Sequence, residues 1–335
     1  MATMKAIQVS APGGNFELVN REIPEPKEGE VLVKVQACGV CHGEAVIKGG
    51  HFPGLTYPKI PGHEVIGIID KLGLGVNDWQ AGQRIGVGWH GGHCFKCPAC
   101  RRGDFWSCEK SLITGITIDG GYAEYMIARS EVLVKIPQEL DSYESAPLLC
   151  AGRTVFGALK NSSARGGDVV AILGIGGLGH LAVQYSLKLG FKTVALSRGT
   201  DKKDLSLKLG AHAYLDTSTG EAAKELSKMG GARVILCTAP NSQAITELID
   251  GLSKNGQIII VAAPQEMMQV QPGLLMKGSR SISASVGGNI EEAINFSMLC
   301  RIVPSIEVFP LEQAAAAFEK MMRAKVRFRA VLKIS

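Results

Sequence analysis

A glycine-rich turn separates a short apolar run from a segment with helical periodicity. The apolar run ends at Leu173, the turn contains Gly174, Gly176 and Gly179, and the helical segment continues to Leu189. A buried strand, a glycine-rich turn and a helix N-terminus together form a site for a pyrophosphate. The first glycine allows a tight turn, the second lets the backbone approach the phosphates, and the third allows close packing of helix on strand.

Strand and helix patterns alternate along the chain around this turn. This favours a dinucleotide-binding turn over a glycine turn that only joins a core strand to a helix. A helix interrupted near Cys150 is expected over 142–160, before the alternation begins. Strands are predicted at 169–173, 193–197, 213–215, 233–237, 257–262 and 281–285. Helices are predicted at 178–189, 202–209, 221–228, 242–252 and 290–300. Alternation of this length is typical of a doubly wound parallel sheet in an α/β fold.

The first 137 residues show a different pattern, in which short alternating segments are separated by turn residues. Strands are predicted at 5–9, 16–20, 31–36, 65–70 and 82–88, and a β pattern resumes over 120–137. The tail contains a predicted helix at 312–324 and a strand at 330–334. We expect this last strand to rejoin the sheet of the first domain.

Composition and charge exclude several classes of protein. The chain has 335 residues, enough for two domains, and its net charge of +5 is spread without a basic block. This favours a mildly basic globular protein over a nucleic-acid-binding one. No apolar run reaches the ~18 residues of a membrane span, and the N-terminus lacks a signal-peptide core. We therefore expect a cytoplasmic protein whose nine cysteines serve metal or thiol chemistry rather than disulfides.

Four cysteines lie close together in the sequence, at Cys94, Cys97, Cys100 and Cys108. Thiolates with this spacing can close a tetrahedron around one metal ion and leave no ligand position open. Soft sulfur ligands favour zinc or an iron–sulfur cluster. Because a closed site cannot activate a substrate, we expect a structural metal that stabilises a lobe with few apolar residues.

A second set of potential ligands is dispersed, at Cys41, His63, Glu64 and Cys150. Three or four nitrogen and sulfur ligands leave a position for water or substrate, as catalysis requires. Spacing alone does not link these residues. Considered singly, His63 at a strand start and Cys150 on a buried helix are more often ordinary core residues.

Five separated motifs occur together and in order, and they resemble the zinc-dependent alcohol dehydrogenases of the medium-chain dehydrogenase/reductase superfamily. The resemblance covers essentially the whole chain and is strongest to the yeast-like and cinnamyl-alcohol-type branch. The motifs are Cys41, Gly62-His63-Glu64, the four-cysteine lobe, the segment 147–152 and the glycine turn 174–179. The resemblance implies a β-rich GroES-like catalytic domain (1–150 and 287–335) and a Rossmann domain (151–286). It also implies a homo-oligomer, dimer or tetramer, joined through edge strands near 281–286.

The resemblance also implies roles for individual residues. Cys41, His63 and Cys150 would hold a catalytic zinc, with Glu64 able to approach it and Glu44 in the place of the Asp that orients the histidine. The four-cysteine lobe would hold a structural zinc, which makes two zinc ions per chain. The expected cofactor contacts are His42, Thr154, Gly174, Gly176, Gly177, Leu178, Gly179 and Arg329, and the expected substrate-pocket walls are Phe52 and Trp89.

The sequence departs from the family at Gly43, where a Ser or Thr hydroxyl usually starts a proton relay. A relay can contribute roughly 10²–10⁴-fold to the rate. Water, His42 or His51 is expected to replace it in an enzyme that interconverts primary alcohols and aldehydes. The alternative is an enzyme that uses NADPH to reduce an activated C=C or C=N bond, which needs no proton on a metal-bound oxygen.

The second strand of the dinucleotide-binding unit indicates which cofactor is used. NAD-specific domains usually end this strand with an acid that binds the ribose 2′-hydroxyl. Here the strand ends in Ser197, followed by Arg198 and Lys202. A hydroxyl and two cations suit a 2′-phosphate, because a guanidinium can bond it through two donors. We therefore expect NADP(H) to be preferred over NAD(H).

Overall fold

The computed structural model describes residues 2–50 and 52–335, and the chain divides into two compact units. The first unit combines Met1–Cys150 with Pro304–Ser335, and the second is Ala151–Val303. No helix of the described residues is both long enough and apolar enough to cross a membrane.

The first unit is rich in β structure. Before residue 150 its strands are β1 (Thr3–Gln8), β2 (Glu17–Glu22), β3 (Glu30–Val40), β4 (Val65–Leu72), β5 (Arg84–Val87), β6 (His90–Gly92), β7 (Leu112–Ile113), β8 (Tyr125–Arg129) and β9 (Val134–Lys135). Its helices there are short: α1 (Ala45–Gly49), α2 (Pro98–Arg101) and α3 (Ser142–Ser145). The expected β-rich first domain is confirmed.

The second unit contains the alternating elements. Its helices are α4 (Ala151–Lys160), α5 (Gly179–Lys188), α6 (Lys203–Lys208), α7 (Ala222–Lys228), α8 (Ser242–Glu247), α9 (Pro272–Met276) and α10 (Ile290–Cys300). Its strands are β10 (Val169–Leu173), β11 (Lys192–Ser197), β12 (Ala213–Asp216), β13 (Ala232–Cys237), β14 (Leu252–Ile260) and β15 (Ser281–Ala284).

These six strands form one parallel sheet in the order β12-β11-β10-β13-β14-β15. All five residues of β10 are buried, as expected for a central strand covered on both faces. The doubly wound fold is confirmed. The predicted strand at 257–262 begins earlier, at Leu252, because a register irregularity between Ala232 and Val234 lets Leu252 pair with Ala232.

The chain then returns to the first unit as β16 (Ile306–Pro310), α11 (Ala314–Met322) and β17 (Arg329–Lys333). Strand β17 pairs antiparallel with β3, with Leu332 opposite Cys38, so the tail rejoins the first sheet as expected. That sheet runs β16-β17-β3-β4-β5-β9, with β8 also paired to β3. Strand β16 was not predicted, since it is a short edge strand that ends in a proline.

The structure places the return to the first unit at Pro304 rather than at residue 287. Helix α10 stays with the second unit because it packs on α4. The Phe156 and Phe296 rings lie 4.9 Å apart, and Lys160 Nζ lies 2.6 Å from Glu292 Oε2. The Arg153 guanidinium also donates to the Gly288 carbonyl just before α10.

Candidate metal and cofactor sites

The dispersed set of potential ligands forms one cluster in the first unit. One donor atom from each of Cys41, His63, Glu64 and Cys150 lies within 4.8 Å of the others. The Cys150 Sγ atom is 3.9 Å from Cys41 Sγ and 3.4 Å from His63 Nε2. The structure thus brings together four residues that sequence spacing alone could not link.

Sheet pairing brings these residues to one place. Strands β3 and β4 are antiparallel, and the Gly39 amide donates to the Glu64 carbonyl at 2.9 Å. Cys41 directly follows β3, while His63 and Glu64 directly precede β4. Cys150 ends a buried 3₁₀ turn, Ala146–Leu149. Three separate backbone segments therefore converge on the cluster.

The Glu44 carboxylate lies beside the His63 ring, on the side away from Cys150. Its Oε1 atom is 2.7 Å from His63 Nδ1, and its Oε2 atom accepts from the Cys41 amide at 2.7 Å. Both side chains are buried. A carboxylate on Nδ1 favours a proton at that atom, which leaves the lone pair of Nε2, the atom that faces Cys150, free to bind a metal.

The electrostatics of the cluster suit a cation. The contact between the sulfurs lowers the pKa of Cys41 well below its usual range and raises the pKa of Cys150. Burial opposes protonation of His63, but the Glu44 and Cys41 charges raise its pKa well above the usual value. Two thiols and an imidazole are donors that zinc prefers, so these residues fit the metal implied by the resemblance.

Arg329 lies in a different environment from the expected one. It was expected to contact a pyrophosphate, but its side chain is buried on β17 and pairs with the Glu64 carboxylate. Burial raises the pKa of Glu64 to about 7, against the opposing effect of the Arg329 charge. Gly39 makes room for this carboxylate, since a Cβ there would lie 1.8 Å from Glu64 Oε2. The pyrophosphate contact stays a prediction.

Gly43 lies between two aromatic rings. A Cβ at this position would be 2.9 Å from Trp89 Cζ3 and 3.0 Å from His63 Cε1. The Trp89 and His63 rings meet edge to face, with centroids 4.8 Å apart. Trp89 and Phe52 pack on the same apolar group of Val9, Ile47 and Ile116. The Trp89 indole therefore lies next to the place that the hydroxyl of a Ser or Thr at position 43 would take.

Two histidines were expected as replacements for the relay hydroxyl. His42 is exposed at the start of a 3₁₀ turn, His42–Glu44. His51 lies outside the described residues.

The four-cysteine lobe also closes into one cluster. The ligand atoms of Cys94, Cys97, Cys100 and Cys108 lie within 4.8 Å of one another. The amides of Cys94 and Lys110 donate to Cys108 Sγ at 3.3 Å, an arrangement that stabilises thiolates. Backbone hydrogen bonds lower the pKa of Cys97 to about 6. An all-sulfur donor set of this kind fits one zinc ion.

The glycine turn of the second unit has the form that the sequence predicts. Gly174 adopts a φ of +92°, and a Cβ at Gly179 would lie 1.8 Å from the Gly174 carbonyl oxygen. A Cβ at Gly176 would meet nothing within 4 Å, so this backbone is open to a ligand. Gly177 and Leu178 complete the turn, and α5 begins at Gly179. The turn and the following helix N-terminus fit a pyrophosphate.

Two family models together match most of the chain. Residues 27–138 match the alcohol dehydrogenase GroES-like domain, and residues 177–300 match the zinc-binding dehydrogenase model. The chain is 43% identical over 310 residues to alcohol dehydrogenase notN of Aspergillus sp. (strain MF297-2), covering 92% of this chain and 91% of that protein. It belongs to the zinc-dependent alcohol dehydrogenases of the medium-chain dehydrogenase/reductase superfamily.

Two further comparisons extend over nearly the whole length of this alcohol dehydrogenase. Alcohol dehydrogenase patD of Penicillium expansum is 42% identical over 334 residues, which cover 99% of this chain and 98% of that protein. A cinnamyl alcohol dehydrogenase from Sorghum bicolor superposes with a TM-score of 0.89 and 26% identity, covering 99% and 98% of the two chains. The protein is therefore an oxidoreductase enzyme.

The alcohol dehydrogenase has residues near its cofactor loops that the sequence did not single out. Thr238, directly after β13, donates from Oγ1 to the Gly174 carbonyl at 2.6 Å, and the same Oγ1 lies 3.0 Å from the Leu173 carbonyl oxygen. It therefore holds the glycine turn in place. Its position at the carboxyl end of a neighbouring parallel strand is the only sequence signal that could have indicated it.

The predicted cofactor-selecting residues lie around the end of β11. Ser197 is its last residue and is buried, Arg198 is exposed, and Lys202 is half-buried directly before α6. Thr154, expected beside the nicotinamide, is half-buried in α4. In this alcohol dehydrogenase a hydroxyl and two cations thus replace the acid that typifies NAD-specific domains.

Proposed function

We propose that this enzyme transfers hydride between NADP(H) and primary alcohols or aldehydes, with one catalytic and one structural zinc in each chain. The observation that carries the proposal is the convergence of Cys41, His63 and Cys150, whose donor atoms lie within 4.8 Å of one another. When bound, the metal polarises the substrate oxygen, and the nicotinamide carries the hydride.

The chain's own residues prepare this chemistry. Glu44 fixes the orientation of the His63 ring through Nδ1. Arg329 balances the charge of Glu64, so a second carboxylate can stay near the cluster without adding net charge. Trp89 lies against His63 and keeps water from that side of the ring. The proton of the alcohol has no hydroxyl at Gly43 to accept it, and we propose that water or His42 takes that part.

Reduction of an activated C=C or C=N bond is the less favoured function. Gly43 permits it, but the relatives that match along nearly the whole chain are alcohol dehydrogenases.

Preference for NADP(H) is the second element of the proposal. Ser197 supports it because a hydroxyl does not repel a 2′-phosphate, and Arg198 and Lys202 add two cations near the strand end. Burial lowers the pKa of Lys202, while Asp201 opposes that effect.

Metal analysis and a coupled substrate screen test the function together. We expect about two zinc ions per chain and NADPH-dependent reduction of aldehydes to alcohols. Measuring kcat/KM with NADPH and NADH for the wild type and for Arg198→Ala tests the cofactor choice. Equal use of both cofactors by the wild type would contradict the preference. A saturated product from an enone, with no alcohol formed, would favour the alternative reaction.

We also propose that the enzyme is a homo-oligomer. Strand β15 is at the edge of the six-stranded sheet, where it can pair with a second copy. Light scattering coupled to size exclusion distinguishes a dimer or tetramer from a monomer, which would contradict this element.

A further inference from the structure

The loop that follows β11 is held by residues of the neighbouring strand. Strands β11 and β12 are parallel, and Ser197 pairs with Asp216 in register. Both strands therefore end at the same edge of the sheet, and their last residues lie beside the same loop.

Gly199 is bound from both sides by residues of β12. Its amide donates to Asp216 Oδ1 at 2.8 Å, and its carbonyl accepts from the Tyr214 hydroxyl at 2.6 Å. The Tyr214 hydroxyl also lies 3.4 Å from the Ser197 carbonyl. Gly199 has a φ of +71°, a left-handed conformation that these two hydrogen bonds stabilise.

Asp216 is itself well fixed. Its Oδ1 atom accepts from the Ser218 amide at 2.8 Å and from the Ser218 hydroxyl at 2.7 Å. The bonds from Ser218 and Gly199 lower the pKa of Asp216, so the acceptor is ionised at neutral pH. The restraint on Gly199 therefore rests on a rigid carboxylate rather than a mobile one.

We propose that Asp216 and Tyr214 are positioning residues for cofactor selection: by fixing Gly199 they set the direction of Ser197 and Arg198 towards the 2′-phosphate. This inference rests on the proposed preference for NADP(H). Arg198 is exposed, and an arginine side chain loses conformational entropy when it binds a phosphate. A backbone that is already fixed at this position reduces that loss. Neither Asp216 nor Tyr214 needs to touch the cofactor to have this effect.

Calorimetry with two cofactor fragments tests the inference without any catalysis. The ligands are 2′,5′-ADP and 5′-AMP, which differ only in the 2′-phosphate. We expect the wild type to bind 2′,5′-ADP at least about tenfold more tightly, because the phosphate gains charge-assisted hydrogen bonds. We expect Asp216→Ala and Tyr214→Phe each to reduce that ratio several-fold, mainly by weakening the binding of 2′,5′-ADP.

Two further variants separate positioning from general damage. Asp216→Asn keeps an acceptor oxygen for the Gly199 amide, so it should retain most of the wild-type ratio. Thr219→Ala removes a bond to the Asp216 carbonyl in the same turn without touching Gly199, and it should leave the ratio unchanged. Melting temperatures report whether each variant is folded.

The outcomes distinguish the two proposals. A wild-type ratio near one refutes the preference for NADP(H) itself. A high wild-type ratio that Asp216→Ala and Tyr214→Phe leave intact refutes the positioning role alone. Tighter 2′,5′-ADP binding in both Asp216→Ala and Asp216→Asn would show that the carboxylate repels the phosphate, which also overturns the inference.

Discussion

Glu44 and His63 form a buried charged contact in which Glu44 Oε1 lies 2.7 Å from His63 Nδ1. The opposite ring nitrogen, Nε2, lies 3.4 Å from Cys150 Sγ. The carboxylate therefore decides which nitrogen of the imidazole faces the two sulfurs. In sequence terms, Glu44 replaces an Asp of the family and is one methylene longer, yet it reaches the ring.

Removing this carboxylate should weaken the catalytic metal site. We expect Glu44→Ala to lower zinc affinity at this site by about 10–100-fold, because a partner on the other ring nitrogen orients the histidine. Competition with a chromogenic chelator measures the affinity. Glu44→Asp is the matched control, since it restores the carboxylate at a shorter reach and should lose less. Unchanged zinc affinity in Glu44→Ala would show that His63 is oriented by packing alone.

The four-cysteine lobe should depend on metal for its fold. Its buried cluster contains Ala99 but otherwise consists of the cysteines, and Phe95, Phe105 and Trp106 are exposed. We expect Cys97→Ser to reduce bound zinc from about two to about one per chain. Proteolysis within the lobe should also become faster.

A non-ligand cysteine provides the control for that variant. Cys300→Ser changes a half-buried thiol in α10 of the second unit, and it should keep both metal ions. Two zinc ions in Cys97→Ser would contradict a four-thiolate site.

A side chain at Gly43 should destabilise the protein while Trp89 is present. A Cβ would contact Trp89 Cζ3 at 2.9 Å and His63 Cε1 at 3.0 Å, so one ring must move. We expect Gly43→Ala to lower the free energy of unfolding by about 1–3 kcal/mol, the usual cost of overpacking. Denaturant unfolding with zinc present measures it.

The double variant identifies the cause of this loss. Trp89→Leu removes the ring atom that lies nearest to the new methyl group, so Gly43→Ala should cost less in that background. An equal cost in both backgrounds would assign the strain to His63 or to the backbone. Gly43→Ser in the Trp89→Leu background then tests whether an added hydroxyl raises kcat, as a restored relay would.

The two metal clusters differ in how far the sequence alone could predict them. The short spacing of the cysteines was enough to predict the four-cysteine cluster, since a few turns of the chain can bring Cys94 and Cys108 together. The sulfurs of Cys41 and Cys150 are 109 residues apart in the chain, and only the family resemblance joined them. Strand pairing between β3 and β4 brings Cys41 beside His63, and the packing of the 3₁₀ turn Ala146–Leu149 against β3 brings Cys150 to them. Spacing encodes neither of these contacts.

Other features could not be predicted from the sequence, because they also depend on tertiary packing. The return to the first unit was placed too early because the packing of α10 on α4 has no periodic signature. Thr238, Tyr214 and Asp216 are single polar residues in or directly after strands, and no motif marks them. Their position beside the glycine loops follows only from the parallel order of the sheet.

The glycine turn provides a matched pair of variants that separates folding from cofactor binding. At Gly179 a Cβ would lie 1.8 Å from the Gly174 carbonyl oxygen, a backbone atom that cannot move freely. At Gly176 a Cβ would meet nothing within 4 Å, and the backbone has no positive φ. We therefore expect Gly179→Ala to lower the melting temperature by several degrees, corresponding to about 1–3 kcal/mol.

Gly176→Ala should weaken cofactor binding and leave stability unchanged. The apo protein should melt within about 1 °C of the wild type, because a surface change without strain costs little. Its affinity for NADPH should nevertheless fall at least about tenfold, since the new methyl group occupies the space through which the backbone approaches the pyrophosphate. Fluorescence titration with NADPH and a thermal melt of the apo protein give the two readouts. Unchanged NADPH affinity in Gly176→Ala would mean that the pyrophosphate does not approach this part of the turn.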